Sequence, residues 1–334
     1  MMEALRVGLV GLNFGKKLVT SGIKNGSLEL VACYSRTPLS RKAFAEEFGC
    51  TACETYREMV ELEELEAVII TSPNHDHLEH AYEAASRGKH VFVDKPIANS
   101  LEEAKEIISI CESTGVKLAV GHNSRFFGSY SKLRELIKAG KIGQPIAVEC
   151  HFGASNAFSM KPGDWRWSAL TCPSLALIQM AIHSIDTMRT ILGDVVSVSA
   201  HFENVMLQMG NPDLNALIME FESGATGVLV STYIHNDCYS IWHGSEGVLR
   251  YMYWPDEGRL ERLDRNGHVD QSDHWIEFEK VDSMAFEMDD FCRAVREDRA
   301  PLVTGEEGLK SLLPVIAAVE SAKTGRRIYL DDLI

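Results

Sequence analysis

Two different hydrophobic patterns divide the chain. Up to residue 121, short apolar runs rich in Val and Ile alternate with amphipathic stretches, as a parallel sheet with crossover helices requires. Strands are predicted over 5–10, 28–34, 66–71, 90–94 and 117–121. Helices are predicted over 77–88 and 100–114, and Ser100 and Glu103 have the spacing of a capping box at the start of the second. The pattern predicts a doubly wound domain of the nucleotide-binding type.

The second half of the chain has a different periodicity. After a predicted helix over 129–139, alternating apolar runs are separated by turn residues, with few helices between them. These runs are 144–152, 195–203, 214–222 and 225–234, and a final helix (306–322) and short strand (326–330) follow. Alternation of this kind predicts an open, mostly antiparallel sheet. We therefore expect an α/β Rossmann-type domain over 1–124 and an α+β domain over 125–334.

Composition excludes several classes of partner. The 334 residues include 33 basic and 48 acidic side chains, and the net charge of −15 would repel a phosphate backbone. No run approaches the about 18 apolar residues of a membrane span, and no basic segment precedes the first apolar run. Of the scattered cysteines only Cys50 and Cys53 are close, which favours ordinary thiols over a redox or metal site. We expect a cytosolic protein with no nucleic-acid partner, no membrane partner and no metal.

The first predicted strand runs into a glycine-containing turn, GLVGLNFGKK. Backbone NH groups at such a strand-to-helix turn face the pyrophosphate of a dinucleotide. The turn departs from the usual G-x-G-x-x-G pattern, because Asn13 and Lys16 replace two of the glycines after Gly11, and Gly15 fits only a loop one residue shorter. A tight structural turn is the alternative interpretation.

The end of the second predicted strand bears on cofactor preference. About 20 residues after the glycines, where an acid would bind a ribose 2′-hydroxyl, the chain has Ser35, Arg36 and Thr37. An arginine between two hydroxyls suits a 2′-phosphate, so the sequence favours NADP(H) over NAD(H). The alternative is that Arg36 packs over the adenine or extends into solvent.

Seven motifs in order resemble those of a known family. After the glycine turn come TSPNHDH (71–77), VDKPIA (93–98), GHNSRF (121–126), DWRW (164–167), IQMAIHSID (178–186) and HGSEG (243–247). Together they resemble the glucose-fructose oxidoreductase, inositol dehydrogenase and MocA family of two-domain NAD(P)-dependent sugar dehydrogenases, over nearly the whole chain. The resemblance implies that the second domain binds a sugar or polyol and forms a homodimer or homotetramer through its open sheet.

The resemblance assigns roles to residues at the carboxyl edge of the first sheet. Lys95 corresponds to the family's lysine that precedes a proline, which is Pro96 in this chain. In family members the peptide bond before this proline is often cis. Asp94 stands where the family usually has glutamate. An ammonium beside a substrate hydroxyl stabilises the alkoxide that forms as hydride leaves. Asn74 and His77 are expected to contact the ribose and nicotinamide of the cofactor. His77 could instead have a structural role at the start of a helix.

The segment IQMAIHSID corresponds to the family's D-x-x-x-H motif, whose histidine is the acid/base. This chain keeps His183 and has Gln179 in place of the aspartate, while Cys172, Pro173 and Ser174 replace a run of glycines. Glutamine cannot titrate, but its amide can still bind a polyol or the imidazole. A buried structural role is the alternative for His183, and Asp186 could either orient it or face solvent.

The sequence therefore predicts an NADP(H)- or NAD(H)-dependent oxidoreductase acting on a secondary alcohol or carbonyl of a sugar, inositol or related polyol. The catalytic candidates are Lys95, His183 and Gln179. The cofactor-binding candidates are Gly11, Asn13, Phe14, Gly15, Ser35, Arg36, Thr37, Ser72, Pro73, Asn74, His77, Asp94, Lys95, Pro96, Asn123, Trp165 and Arg166. Tyr233, His235 and Asn236 are weaker candidates for contacts with sugar hydroxyls. The departures from the family motifs leave a second hypothesis, a non-catalytic sensor of cofactor or sugar.

Overall fold

The computed structural model describes residues 3–207, 209–253, 258–269 and 275–334. The chain divides into two compact units. Unit 1 contains Met1–Phe126 and Asp282–Leu309, and unit 2 contains Phe127–Val281 and Lys310–Ile334. Within the described part of the chain, no helix is both long and apolar enough to cross a bilayer.

Unit 1 contains a six-stranded parallel sheet, as the sequence predicts. Its elements are β1 (Leu5–Val10), α1 (Leu12–Lys24), β2 (Leu28–Tyr34), α2 (Pro38–Phe48), β3 (Thr51–Ala52), α3 (Tyr56–Val60), β4 (Ala67–Ile70), α4 (His77–Ala85), β5 (His90–Asp94), α5 (Leu101–Thr114) and β6 (Leu118–Gly121). The strand order is β3-β2-β1-β4-β5-β6. The order reverses between β1 and β4, and ligands of such sheets bind outside the carboxyl ends of the strands at that point.

Local sequence explains these elements well. The central strand β4 is buried along its whole length, because helices cover both faces of a parallel sheet. The predicted cap of α5 is present: the Ser100 hydroxyl accepts from the backbone NH of Glu103 at 3.2 Å. Gly115 ends that helix in a left-handed conformation, with φ of 70°.

Unit 2 contains an open eight-stranded sheet that is mostly antiparallel, which confirms the predicted class. Its elements are α6 (Gly128–Lys138), β7 (Pro145–Gly153), α7 (Ile182–Leu192), β8 (Val195–Glu203), β9 (Leu214–Phe221), β10 (Thr226–Thr232), β11 (Asp237–Gly244), β12 (Gly247–Met252) and β13 (Arg259–Asp264), with β14 (Ile328–Tyr329) near the C-terminus. The strand order is β13-β12-β11-β7-β10-β9-β8-β14. Only the pairing of β7 with β10 is parallel among the described strands of this sheet.

The two faces of this sheet differ. One face is apolar and buried, and α7 packs on it: a Cβ at Gly227 would lie 3.3 Å from the sulfur of Met188. The other face carries the exposed side chains of Val228 and Ile218, which are 40% and 51% exposed. Strands alternate their side chains between faces, so residues two positions from these along each strand, such as Glu220, also lie away from α7.

After β13 the chain returns to unit 1. The helix α8 (Ser283–Arg296) buries Met288, Phe291 and Cys292 in the core built by β1, β2 and α1. The helix α9 (Gly305–Thr324) follows it. The predicted division gave 125–334 to one domain, whereas residues 282–309 group with unit 1. The difference arises because the sequence pattern of an amphipathic helix reveals its apolar face but not the hydrophobic core on which that face packs.

Candidate active site

The turn after β1 can only be built with glycine. Gly11 has φ of 90° and directly precedes α1. A Cβ at this position would overlap the carbonyl group of Thr71 and the backbone nitrogen of Ser72, at the end of β4. The absence of a side chain therefore lets two strand ends meet and leaves the first NH groups of α1 facing outward, which is the arrangement that binds a pyrophosphate.

Gly15 completes the loop in the shortened form that the sequence suggests. It lies one turn inside α1, and a Cβ there would come within 2.5 Å of the Leu9 side chain and 2.6 Å of the Thr71 hydroxyl. Gly15 thus allows the close packing of helix on strand that the third glycine of a dinucleotide loop provides. Asn13 and Phe14 lie exposed in the same first turn. The residues present fit a dinucleotide at this end of the sheet.

The structure leaves Arg36 extended at the end of β2. Its side chain is 70% exposed, and its guanidinium lies 3.8 Å from the carboxylate of Asp76. An exposed pair at that distance adds little stability, so the guanidinium remains accessible. Ser35 and Thr37 flank it, and the backbone NH of Thr37 donates to the Ser35 hydroxyl at 3.4 Å. This trio has the donors that a 2′-phosphate needs.

The loops after β4 and β5 are tied together by His77. This side chain is only 1% exposed, and its Nδ1 and Nε2 each lie 3.0 Å from a carbonyl oxygen, of Pro96 and Ser72 respectively. Burial lowers the pKa of His77, so the imidazole is neutral and donates to one of the two carbonyls. Its buried position between the two carbonyls indicates that His77 fixes the loops after β4 and β5 relative to each other. Asn74 is also buried and donates to the Asn99 side chain at 3.2 Å.

Lys95 lies at the carboxyl end of β5, before a cis peptide to Pro96. Its neighbour Asp94 packs over Gly121, where a Cβ would lie 2.9 Å from the carboxylate. Sequence reasoning missed a third ionisable group, Glu287 of α8, which is buried. Burial, followed by the charges of Asp94 and Asp290, raises the pKa of Glu287 well above its usual range, and Lys95 opposes this shift.

The spacing of residues around Glu287 carries a signal that could have identified this residue. It stands four residues before Phe291, so a helical reading of 283–296 places a carboxylate on the apolar face. An acid on such a face is uncommon unless it is paired or protonated. Burial therefore disfavours the charged form of Glu287, whose carboxyl group interacts with Lys95.

In unit 2, the amide of Gln179 has a defined partner. The guanidinium of Arg166 donates to its side-chain oxygen at 3.3 Å and stacks on the Trp165 ring at 4.2 Å from the centroid. Asn211 in turn donates to the Arg166 carbonyl at 2.8 Å. The three predicted residues Trp165, Arg166 and Gln179 therefore form one group, in which an aspartate at 179 would have made an ion pair.

The segment before His183 has an unusual backbone. Residues Leu177–Ala181 form a π-helical turn, which leads into α7, and such turns are frequent at functional sites. Ser174 has φ of 56°. His183 lies half-buried in the first turn of α7. Asp186 is buried and accepts from Ser311 at 2.7 Å, so it does not face solvent.

The remaining candidates are distributed over both units. Asn123 donates to the Ser283 hydroxyl at 3.3 Å in unit 1. In unit 2, Tyr233 is buried, His235 is exposed, and the side chain of Asn236 accepts from the backbone NH of Ser155 at 2.9 Å. Unit 1 thus contains the glycine turn, Arg36 and Lys95, and unit 2 contains His183, Gln179, Trp165 and Arg166.

Comparison with known proteins agrees with this division. Residues 5–122 match the model of an oxidoreductase family with an NAD-binding Rossmann fold, and residues 130–250 match the GFO/IDH/MocA C-terminal domain. The chain belongs to the Gfo/Idh/MocA family. Scyllo-inositol 2-dehydrogenase (NAD(+)) of Bacillus subtilis is 30% identical, with 98% of this chain and 95% of that protein covered.

Two further relatives of this Gfo/Idh/MocA protein are informative. The 1,5-anhydro-D-fructose reductase of Ensifer adhaerens is 25% identical, with 98% of each chain covered. A solved structure described as an NADPH-dependent oxidoreductase of Desulfitobacterium hafniense superposes with a TM-score of 0.94 at 28% identity, covering 100% of both chains. The protein is an NAD(P)-dependent enzyme of the dehydrogenase and reductase class, as the sequence predicts.

Proposed function

We propose that this enzyme prefers NADP(H) and interconverts a secondary alcohol and a carbonyl group on a sugar, inositol or related polyol. The bound nicotinamide supplies the hydride acceptor or donor. The observation that carries the proposal is the position of Lys95 at the carboxyl end of β5, in a loop that His77 links to the loop after β4. The relatives named for inositol and anhydrofructose support a polyol substrate.

Lys95 binds the reacting oxygen in this proposal. Its ammonium donates to the substrate hydroxyl or carbonyl and stabilises the alkoxide that develops there. Burial raises the pKa of Glu287 well above its usual range, and the positive charge of Lys95 opposes this shift, so the two groups interact.

His183 exchanges the proton of the reacting hydroxyl, and Gln179 positions the substrate. Because Gln179 cannot titrate, proton transfer falls to the histidine alone. Arg166 donates to the amide oxygen of Gln179 at 3.3 Å and so orients the amide that would bind the polyol in this proposal. The exchange of Asp for Gln alters how the site handles the proton and leaves hydride chemistry untouched.

Cofactor preference is tested by nucleotide binding. We expect NADP⁺ and NADPH to raise the melting temperature more than NAD⁺ and NADH, because the exposed Arg36 pairs with the 2′-phosphate. Arg36→Ala should remove most of that difference. Arg57→Ala is the matched control, since Arg57 is an equally exposed arginine of unit 1 that pairs with Glu61 at 2.7 Å. No shift with any of the four nucleotides, in nucleotide-free protein, would overturn the dehydrogenase reading.

Turnover is tested with a panel of inositols, aldoses and anhydrosugars. Lys95→Met and His183→Ala should each lower kcat by roughly 10²–10⁴ while nucleotide binding persists, because each removes a group that acts on the reacting oxygen or proton. Tight nucleotide binding without turnover or isotope exchange on any polyol would support the sensor instead. The retained Lys95 and His183, and relatives named as dehydrogenases and reductases, favour the enzyme.

The open sheet of unit 2 supports a proposal on assembly. Its face opposite α7 carries the exposed side chains of Val228 and Ile218. Exposed apolar side chains on a sheet face are commonly covered by a partner. We assign this face to a homodimer or homotetramer contact.

A further inference from the structure

Two histidines and an aspartate converge on the sheet of unit 2, outside the residues assigned to the reaction. His151 belongs to β7, Asp237 opens β11, and His235 stands two residues before it. One ring nitrogen of each histidine and one carboxylate oxygen of Asp237 all lie within 4.8 Å of one another. Imidazole nitrogen and carboxylate oxygen are ligands that divalent transition metals share.

The strand register places this cluster away from α7. His151 is paired with Tyr239, and Gly153 with Asp237, on adjacent antiparallel strands. The neighbours Val148 and Cys150 have the opposite parity along β7 and are buried. Because α7 covers that buried face, His151 and Asp237 lie on the other face of the sheet from the helix that carries His183.

The surroundings of His151 leave a nitrogen without a protein partner. Its Nε2 is buried and has no hydrogen-bond partner among the residues that the structure describes. A Cβ at Gly153 would lie 3.0 Å from this atom and 2.5 Å from the His235 carbonyl. Glycine at 153 therefore keeps open the space beside Nε2. A buried ring nitrogen without a partner is costly, and a ligand at this position would satisfy it.

We propose that His151, His235 and Asp237 bind a divalent transition metal ion of the zinc type. Ligand atoms of a tetrahedral zinc site lie about 3.4 Å apart, given bonds of about 2.1 Å, so atoms within 4.8 Å close on an ion by side-chain rotation. The rings of His151 and His235 are nearly parallel, at 20°, with centroids 5.3 Å apart. One ring must rotate so that a nitrogen lone pair of each histidine faces the ion. His235 can make this rotation, because it is exposed and the terminal side-chain torsion of histidine has a broad range of allowed angles.

The proposed metal site has one coordination position that no protein side chain fills. Three protein ligands leave the remaining position of a tetrahedral ion to water. The ion would join β7 to the turn that leads into β11, because the ligands come from both. Binding requires a folded sheet, so the ion should stabilise the folded state.

Equilibrium dialysis tests the proposal. Tag-free protein is treated with a chelator and then dialysed against micromolar Zn²⁺, and bound zinc is counted by elemental analysis. We expect about one zinc per chain, and at least a tenfold weaker retention in His151→Ala and in Asp237→Asn. His243→Ala is the matched control, because His243 faces the Glu149 carboxylate at 2.8 Å on the same sheet and lies outside the cluster.

A second readout separates the cluster from the thiols. Co²⁺ replaces zinc and reports its ligands by visible absorption, and a site of two imidazoles and a carboxylate lacks the intense thiolate bands of a cysteine site. Failure of wild-type protein to retain stoichiometric zinc would overturn the proposal. So would equal retention in both cluster variants, or thiolate bands in the cobalt protein. If His151→Ala does not fold, zinc retention by Asp237→Asn tests the proposal. None of these readouts depends on the proposed enzymatic activity.

Discussion

The least expected single residue is Glu287, a carboxyl group buried in unit 1. Its pKa is raised above its usual range chiefly by burial, so the folded state binds a proton that the unfolded state has released. The contribution of Glu287 to stability is therefore fully present below the unfolded pKa of about 4.3 and is lost as the pH rises toward the folded pKa.

We therefore expect Glu287→Gln to gain stability over wild type as the pH rises from 4.5 to 8. The gain should grow by up to about 1.4 kcal/mol per pH unit until the folded pKa is reached, because glutamine releases no proton. Urea unfolding at a series of pH values measures it. Asp289→Asn on the same helix is the control, since the side chain of Asp289 is 42% exposed and the substitution likewise exchanges a carboxyl group for an amide. A difference between Glu287→Gln and wild type that stays constant with pH would contradict the buried neutral acid.

Among the elements, α8 is held on unit 1 by one arginine in addition to its buried apolar residues. Arg296 donates to both carboxylate oxygens of Glu66 at 2.6 and 2.8 Å and to the Ala4 carbonyl at 2.8 Å. These hydrogen bonds lower the pKa of Glu66 to about 2. A depressed carboxyl pKa gives stability that is present above the unfolded pKa and lost as the pH falls toward 2.

Arg296→Lys should destabilise the protein by roughly 1–2 kcal/mol at pH 7, because lysine cannot make the two parallel hydrogen bonds. Arg293→Lys on the same helix is the matched control, since its pairs with Asp289 and Glu297 are exposed, and it should change stability by less than about 0.5 kcal/mol. Chemical unfolding of both variants provides the comparison. Equal effects would mean that α8 is held by its apolar face alone.

For the molecule as a whole, the proposed assembly through the open sheet predicts a defined size in solution. Light scattering at micromolar concentration should show a dimer or tetramer, and Val228→Lys with Ile218→Lys should give monomers, because a charge on each strand opposes apolar contact. Leu39→Lys is the control: Leu39 is 82% exposed but lies in α2 of unit 1. A wild-type monomer, or an oligomer that survives the double substitution, would rule out this face as the contact.

Local pattern predicted much of the fold. The five strands predicted in the first half correspond to β1, β2, β4, β5 and β6, because a buried parallel strand is a continuous apolar run. The start of α5 was also predicted from the sequence, since a capping serine bonds to a backbone NH group within the first turn of its helix. The two-residue β3 and the strands β11 to β13 were not predicted. The first is too short to carry a period, and the others lie among polar and turn residues that weaken their alternation.

The sequence by itself thus determined the two domain classes, the family and the cofactor type, because each is expressed in residues close together along the chain. Tertiary structure decided what depends on distant partners. It joined Arg166 to Gln179, buried Glu287 near Lys95, and returned α8 to the first unit. It also brought His151 to Asp237 across 86 positions (237 − 151), because strand pairing, rather than spacing along the chain, sets which side chains share a face.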